Sequence, residues 1–361
     1  MVDEGAVIGG RRRRAGNGLE QNSSTVLRMR DLFASPEFFP LEIDHHRRLV
    51  TFVRMTREAY ANSVFLDSTF TRYVGNPITL RLDDVVFACR SSSAPITKAH
   101  YILNTAYCCS TLLSRYFESL PNCLVLREPG SLAQVAAMMD EGEPRWEQYL
   151  HVCMKLLLRT YEPGQAVVIK PYEPSNRLAK PLLENPNATA TYLITPLRSF
   201  LLSVLKSEER REWVRGRLAS AARDASRYEV LSGISADALT APQAATYVWL
   251  LNYSMFGALK RNGGAARVLL ADGDALVEAP ESTLRAVISA SGLQVDERQF
   301  QAMISAESVR RYSKDSAMPY DAASRHDQLN ELNRCWGAEA DEGMEWAESL
   351  GFSLQDLQLS R

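Results

Sequence analysis

A chain of 361 residues with 46% hydrophobic side chains can bury a sizeable core, which excludes a wholly disordered or fibrous polymer. Lysine and arginine number 41 against 43 aspartate and glutamate, a net charge of −2, so no global field draws in nucleic acid or a membrane surface. Nowhere do about 18 apolar residues run together, and the polar stretch after Arg11–Arg14 lacks a signal peptide's apolar segment, so the expectation is a cytoplasmic protein without a membrane span.

Residues 1–30 mix Gly, Arg, Asn and Ser without hydrophobic period and read as a disordered tail. Arg48–Met55 and Ile78–Cys89 are rich in β-branched and apolar residues between Pro and Gly turn signals, which predicts a small β-containing appendage over 31–98. Phe65-Leu66-Asp67 lies between them and is expected to pack the appendage on the core, with substrate contact as the other option.

From residue 99 to about 320 the pattern changes to apolar runs separated by helical spacing: Tyr101–Thr105, Cys123–Glu128, Ala166–Lys170, Thr191–Thr195 and Arg267–Ala271. That alternation predicts an α/β core, a mostly parallel sheet with helices on both faces. Ligands of such sheets sit beyond the carboxyl ends of the strands, which makes the closing residues Thr105, Glu128, Lys170, Thr195 and Asp272 site candidates. Lys170 follows the buried-looking Val167-Val168-Ile169 and its ammonium could reach an anion; the next turn, with Ser175 or Asn176, also suits helix capping. Arg210, Arg211, Arg215 and Arg217 alternate with Glu208, Glu209 and Glu212 and read as an exposed, ion-paired helix face, with donor or acceptor binding as the other option. Tyr312-Ser313-Lys314 reads as a surface loop or a lid, and residues 321–361 as an amphipathic helical segment. His45-His46 are expected at the surface and His100 as a structural neighbour of the first core strand. Cysteines 89, 108, 109, 123, 153 and 335 show no C-x-x-C spacing, so reduced thiols are expected, with neither a disulfide framework nor a zinc site.

The segment Tyr101–Arg115 carries the chemistry. An apolar strand turns through a short polar loop into a helix whose face is Leu112, Leu113, Tyr116, Phe117 and Leu120. Unpaired amides at such a helix start, with the positive end of its dipole, form a seat for an anion, and Ser110 and Thr111 add hydroxyl donors. The loop contains neither the Gly nor the Lys of G-x-x-x-x-G-K-[ST], which removes the main support for ordinary ATP or GTP hydrolysis.

The strand and its Ser-Thr-Leu-Leu resemble the 5′-phosphosulfate loop of the sulfotransferase family, whose bacterial form reads Pro-Arg-Ser-Gly-Ser-Thr-Leu-Leu. The resemblance aligns Ala106, Tyr107, Cys108, Cys109, Ser110, Thr111, Leu112 and Leu113 on that loop; Tyr107 replaces the family's basic residue and Cys109 its glycine. It implies a P-loop-like fold, 3′-phosphoadenosine 5′-phosphosulfate (PAPS) as donor, no metal, and transfer of a sulfuryl group to a hydroxyl or amine. Lys170, within an Ile-Lys-Pro followed by Asn-Arg as in related bacterial proteins, would stabilise the leaving oxygen, assisted by Tyr107. Glu128 is the candidate base, with pairing to Arg127 or helix capping as its rival roles. Ser203 falls on the serine that holds the donor's 3′-phosphate; the matching arginine position is Thr195, and Arg198 is the nearest guanidinium that could compensate. The run Val268–Leu276 resembles the family's closing strand and turn.

Two other readings remain. Cys109 and Arg115 satisfy the C-x₅-R spacing of cysteine-dependent phosphatases, although Arg115 then lies along a helix and away from the anion. Tyr107 and Cys109 also fit a protein of the same fold that binds nucleotide or a partner chain without turnover. The acceptor, a small molecule or carbohydrate, and the oligomeric state leave no mark on the sequence.

Overall fold

The computed structural model describes residues 29–92, 97–261, 266–306 and 322–359. Most of the predicted tail and the Tyr312-Ser313-Lys314 segment lie outside the described residues. Five strands form the main sheet: β4 (Ala99–Asn104), β5 (Cys123–Arg127), β6 (Ala166–Lys170), β7 (Ala188–Ile194) and β8 (Val268–Asp272). They are all parallel, in the order β5-β6-β4-β7-β8. All six residues of β4 are buried, as expected of a central strand covered on both faces. Side chains alternate across it: Ile102 packs with Leu113, Phe117, Leu284 and Phe300 on one face. Tyr101 and Leu103 belong to the larger core on the other, with Tyr149, Leu201 and Trp249. The fold is therefore the α/β sheet with helices on both faces that the apolar runs predict, and it is P-loop-like as the loop's resemblance implies.

Three antiparallel strands, β1 (Phe38–Asp44), β2 (Leu49–Arg54) and β3 (Val74–Arg81), form the small N-terminal sheet in the order β1-β2-β3. Its inner residues Phe39, Val50 and Phe52 join the larger core. The expected β run Ile78–Cys89 is corrected here: the chain turns at Leu82 from β3 into the helix Leu82–Ser91, which buries Leu82, Val85, Val86 and Cys89. Those four positions have helical spacing, and Asp83 and Asp84 in the first turn favour the helix through its dipole.

Chain direction places the site. From β4 the chain crosses to β5 on one side, and from β6 it later crosses to β7 on the other, so the carboxyl end of β4 lies at the switch point where α/β sheets open a crevice. The C-terminal helix Ala322–Ser349, kinked at Trp336, packs against Leu197–Leu205 beside that edge. No helix among the described residues is long and apolar enough to cross a membrane.

Candidate active site

Beyond Asn104 the backbone is left-handed at Ala106 (φ 62°), Tyr107 (φ 49°) and Cys109 (φ 65°). None is glycine, and each costs about 1–2 kcal/mol in this conformation. Such strain persists only where surroundings over-determine it, and it concentrates at functional sites. Turns of this hand gather successive amides into a concavity suited to an anion. Cys109 then opens the helix Ser110–Glu118 without a side-chain cap.

Neighbours hold the loop in three ways. Asn104 Oδ1 accepts from the Ala106 amide at 3.0 Å, while its Nδ2 donates to the Pro171 carbonyl at 3.1 Å. Asn176 Nδ2 donates to the Asn104 carbonyl at 2.7 Å, so the Asn176 side chain serves the loop instead of a helix cap. Gly273, opening the helix Gly273–Glu278 after β8, touches the loop from behind: a Cβ there would lie 2.3 Å from the Cys108 carbonyl oxygen.

Asn176 is also the end of a buried polar chain. Asn252 Oδ1 accepts from Asn176 Nδ2 at 2.7 Å and from the Tyr192 hydroxyl at 2.9 Å. Asn252 Nδ2 donates to Glu173 at 2.8 Å, and Arg217 Nε donates to the other oxygen of that carboxylate at 2.8 Å. Asp224 accepts from both Arg217 (3.2 Å) and Arg177 (2.9 Å), and Arg177 reaches Asp140 at 2.6 Å. In a low-dielectric interior a linked set of this kind fixes geometry more firmly than separate pairs. Arg217 is thus buried in a network, a correction to the expectation that it faces solvent.

The loop lines a cleft of about 440 Å³, within the usual range for small-ligand sites. Ala106, Tyr107, Cys108, Cys109, Ser110 and Thr111 form one wall, and Glu128, Lys170 and Ser203 also face it. Lys170 is 3% exposed; its ammonium hydrogen-bonds Glu128 and lies 5.5 Å from the centre of the Phe65 ring. Glu128 is left-handed (φ 48°), and its amide donates to the Lys170 carbonyl at 2.6 Å. Neither rival role holds for Glu128: Arg127 pairs with Glu118 at 2.9 Å and holds carbonyls of residues 60–64, and the helix Gly130–Glu141 has no side-chain cap.

Tyr107 packs under the Arg210 guanidinium at 4.4 Å and edge-on to Trp213, whose indole donates to the Tyr172 hydroxyl at 2.9 Å. Burial raises the Tyr107 phenol to about 12 against the pull of Arg210, so at neutral pH it keeps its proton. Burial likewise pushes the Cys108 thiol up, away from thiolate character. His100 bridges Thr189 (2.9 Å) and Thr191 (3.1 Å), and burial holds it down to about 3, a neutral structural group.

Arg198 is not brought to the cleft. Its guanidinium donates to Asn333 (2.7 and 3.1 Å) and pairs with Asp341 (2.5 Å), both on the C-terminal helix. Among the described residues, the cations at the cleft are Lys170, Lys206, Arg210 and Arg325. Arg210 also donates to the Ser203 carbonyl at 2.6 Å, and Arg325 pairs with Asp274 at 2.8 Å. Of the remaining strand-end candidates, Thr195 is buried with its carbonyl on the Trp249 indole (2.8 Å), and Asp272 caps its own helix. Arg115 does not line the cleft. Phe65 and Arg210, for which ligand contact is the second option in the sequence, both line the cleft, whereas no sequence signal marks Lys206 or Arg325 as a cleft cation.

No family model matches the chain, and no curated protein matches it. Solved structures with some likeness are sulfotransferases. STF9 from Mycobacterium avium shares 10% identity over 72% of this chain and 84% of its own, with a TM-score of 0.37. The sulfotransferase domain of the curacin biosynthetic pathway shares 12% identity over 67% and 98%, with a TM-score of 0.39. Mouse SULT7A1, complexed with PAP, shares 11% over 80% and 98%, with a TM-score of 0.35. Likeness this distant carries no weight on activity, donor or acceptor.

Proposed function

We propose that the chain transfers a sulfuryl group from PAPS to a hydroxyl or amine of a small-molecule or carbohydrate acceptor. The observation that carries this reading is the strained loop Ala106–Cys109, held open at a helix start beside a buried lysine in one cleft. When bound, the donor would supply an activated sulfuryl group on a phosphate leaving group. The loop amides, Ser110 and Thr111 would hold its 5′-phosphate, and Lys170 would offset charge on the leaving oxygen, with the protonated Tyr107 as a second donor. Arg210 and Lys206, beside Ser203, take over the 3′-phosphate role first considered for Arg198. Glu128 would accept the acceptor's proton once anion binding draws the Lys170 ammonium from it. No residue role here requires a metal. The division into a 1–30 tail, a 31–98 appendage, a 99–320 core and a 321–361 helical segment, and a cytoplasmic setting, belong to the same proposal.

The Lys170–Glu128 contact also favours a second reading, a nucleotide or partner binder in which each charge silences the other. Donor consumption separates the two. Purified chain, PAPS and a panel of phenol, sugar and amine acceptors should release 3′,5′-adenosine bisphosphate, and Lys170→Ala should slow release by roughly 10²–10³-fold. Tight nucleotide binding without release across the panel would favour the binder.

A further inference from the structure

A second cluster stands apart from the cleft. His45 and His46 occupy the turn between β1 and β2, and Glu141 is the last residue of the helix Gly130–Glu141. One carboxylate oxygen of Glu141 lies 3.3 Å from His45 Nε2 and 3.7 Å from His46 Nε2. The three ligand atoms all fall within 4.8 Å of one another, and the two rings are 3.8 Å apart. Hydrogen bonds from a ring nitrogen to a carboxylate are normally about 2.7–2.9 Å. The observed separations instead approach the roughly 3.3–3.5 Å edge of a tetrahedron built from metal bonds of about 2.0–2.1 Å.

We propose that His45, His46 and Glu141 form a transition-metal site, with Zn²⁺ its best-suited ion. Two imidazoles and one carboxylate are a donor set that zinc accepts, and they leave a fourth position for water. The helix terminus helps as well, because the carbonyl end of the helix dipole favours a cation. His45 is only 13% exposed, which fixes one ligand, while His46 at 76% and Glu141 at 52% leave the site open to entry. Bound metal would staple the β1–β2 turn to the far end of the helix that starts two residues after Glu128. It would join the small sheet to the core where the Ile43 amide already donates to Gln134 at 2.6 Å. This site is independent of the donor assignment, and the two stand or fall separately.

Titration of the metal-free full chain with Zn²⁺ against a chromophoric chelator, followed by thermal melts, tests the proposal. One equivalent should bind with micromolar or tighter affinity and raise the melting temperature. His46→Ala and Glu141→Gln, both at exposed positions, should each weaken binding by about tenfold or more. Cys335→Ser, which removes an exposed thiol far along the chain, should change nothing. No binding at micromolar Zn²⁺, binding unchanged in both ligand variants, or binding lost in Cys335→Ser would each overturn the site.

Discussion

Two strand-to-helix turns stand at the same edge of the sheet, after β4 and after β8, and they solve the helix start differently. After β8, Asp272 has ordinary extended backbone (φ −87°) and its side chain accepts from the Asp274 amide at 2.8 Å. That turn satisfies itself. After β4, Cys109 is left-handed and provides no side-chain cap, and two further non-glycine residues of the loop are left-handed too. A helix start that carries its own carboxylate has no use for an external anion, whereas one kept strained and uncapped does. Under the proposed function, the contrast assigns anion binding to one of two similar turns.

The turns also touch, and disturbing that contact is expected to cost both stability and binding. Gly273→Ala places a methyl group 2.3 Å from the Cys108 carbonyl oxygen, so the loop Ala106–Cys109 must move. We expect about 1–3 kcal/mol of lost stability in chemical denaturation and loss of nucleotide binding by calorimetry. If binding survives intact, the two turns are independent and the loop's shape matters less than the contrast implies. Lys170→Ala should lower turnover by roughly 10²–10³-fold, measured as donor consumption, the usual cost of removing a charge-stabilising donor. Arg210→Ala should weaken 3′,5′-adenosine bisphosphate by about tenfold or more, the loss of a hydrogen bond to a charged group, while Arg198→Ala leaves it unchanged. The reverse ranking would return the 3′-phosphate to Arg198.

The smallest effect concerns pH. Burial raises Asp272 to about 6, so the folded chain holds this proton more tightly than the unfolded one does. Stability from this group is therefore full below about pH 4 and is lost as pH rises through about 6. Asp272→Asn should match the wild type at pH 4 and equal or exceed its stability at pH 7, by denaturant midpoint. A variant less stable only at pH 7 would show the carboxylate to be favoured in place, and the self-capped turn to be electrostatically tuned.

How much of this the residues announce depends on where the partners come from. β6 is legible to the residue because a buried run ends at Lys170 and Pro171 stops it. Leu82–Ser91 is not, since Val85 and Val86 suit a strand and a helix equally until Asp83 and Asp84 are weighed. The loop and Lys170 fall at strand ends, where topology alone collects residues. Arg198 and Arg210 are opaque for the opposite reason. Asp341 and Asn333, which hold Arg198, lie more than a hundred residues away in sequence, and Arg210 stands among glutamates that make its helix look like a solvated surface. Local spacing shows a helix face; it does not show what packs against it.

Calorimetry of the full chain with 3′,5′-adenosine bisphosphate and, separately, with ADP tests the central claim most directly. The account predicts saturable binding of the bisphosphate, at least about tenfold tighter than ADP, and weakened in Ser110→Ala. Equal binding of the two nucleotides, or none, would contradict the assignment of the loop as the seat of a sulfuryl donor.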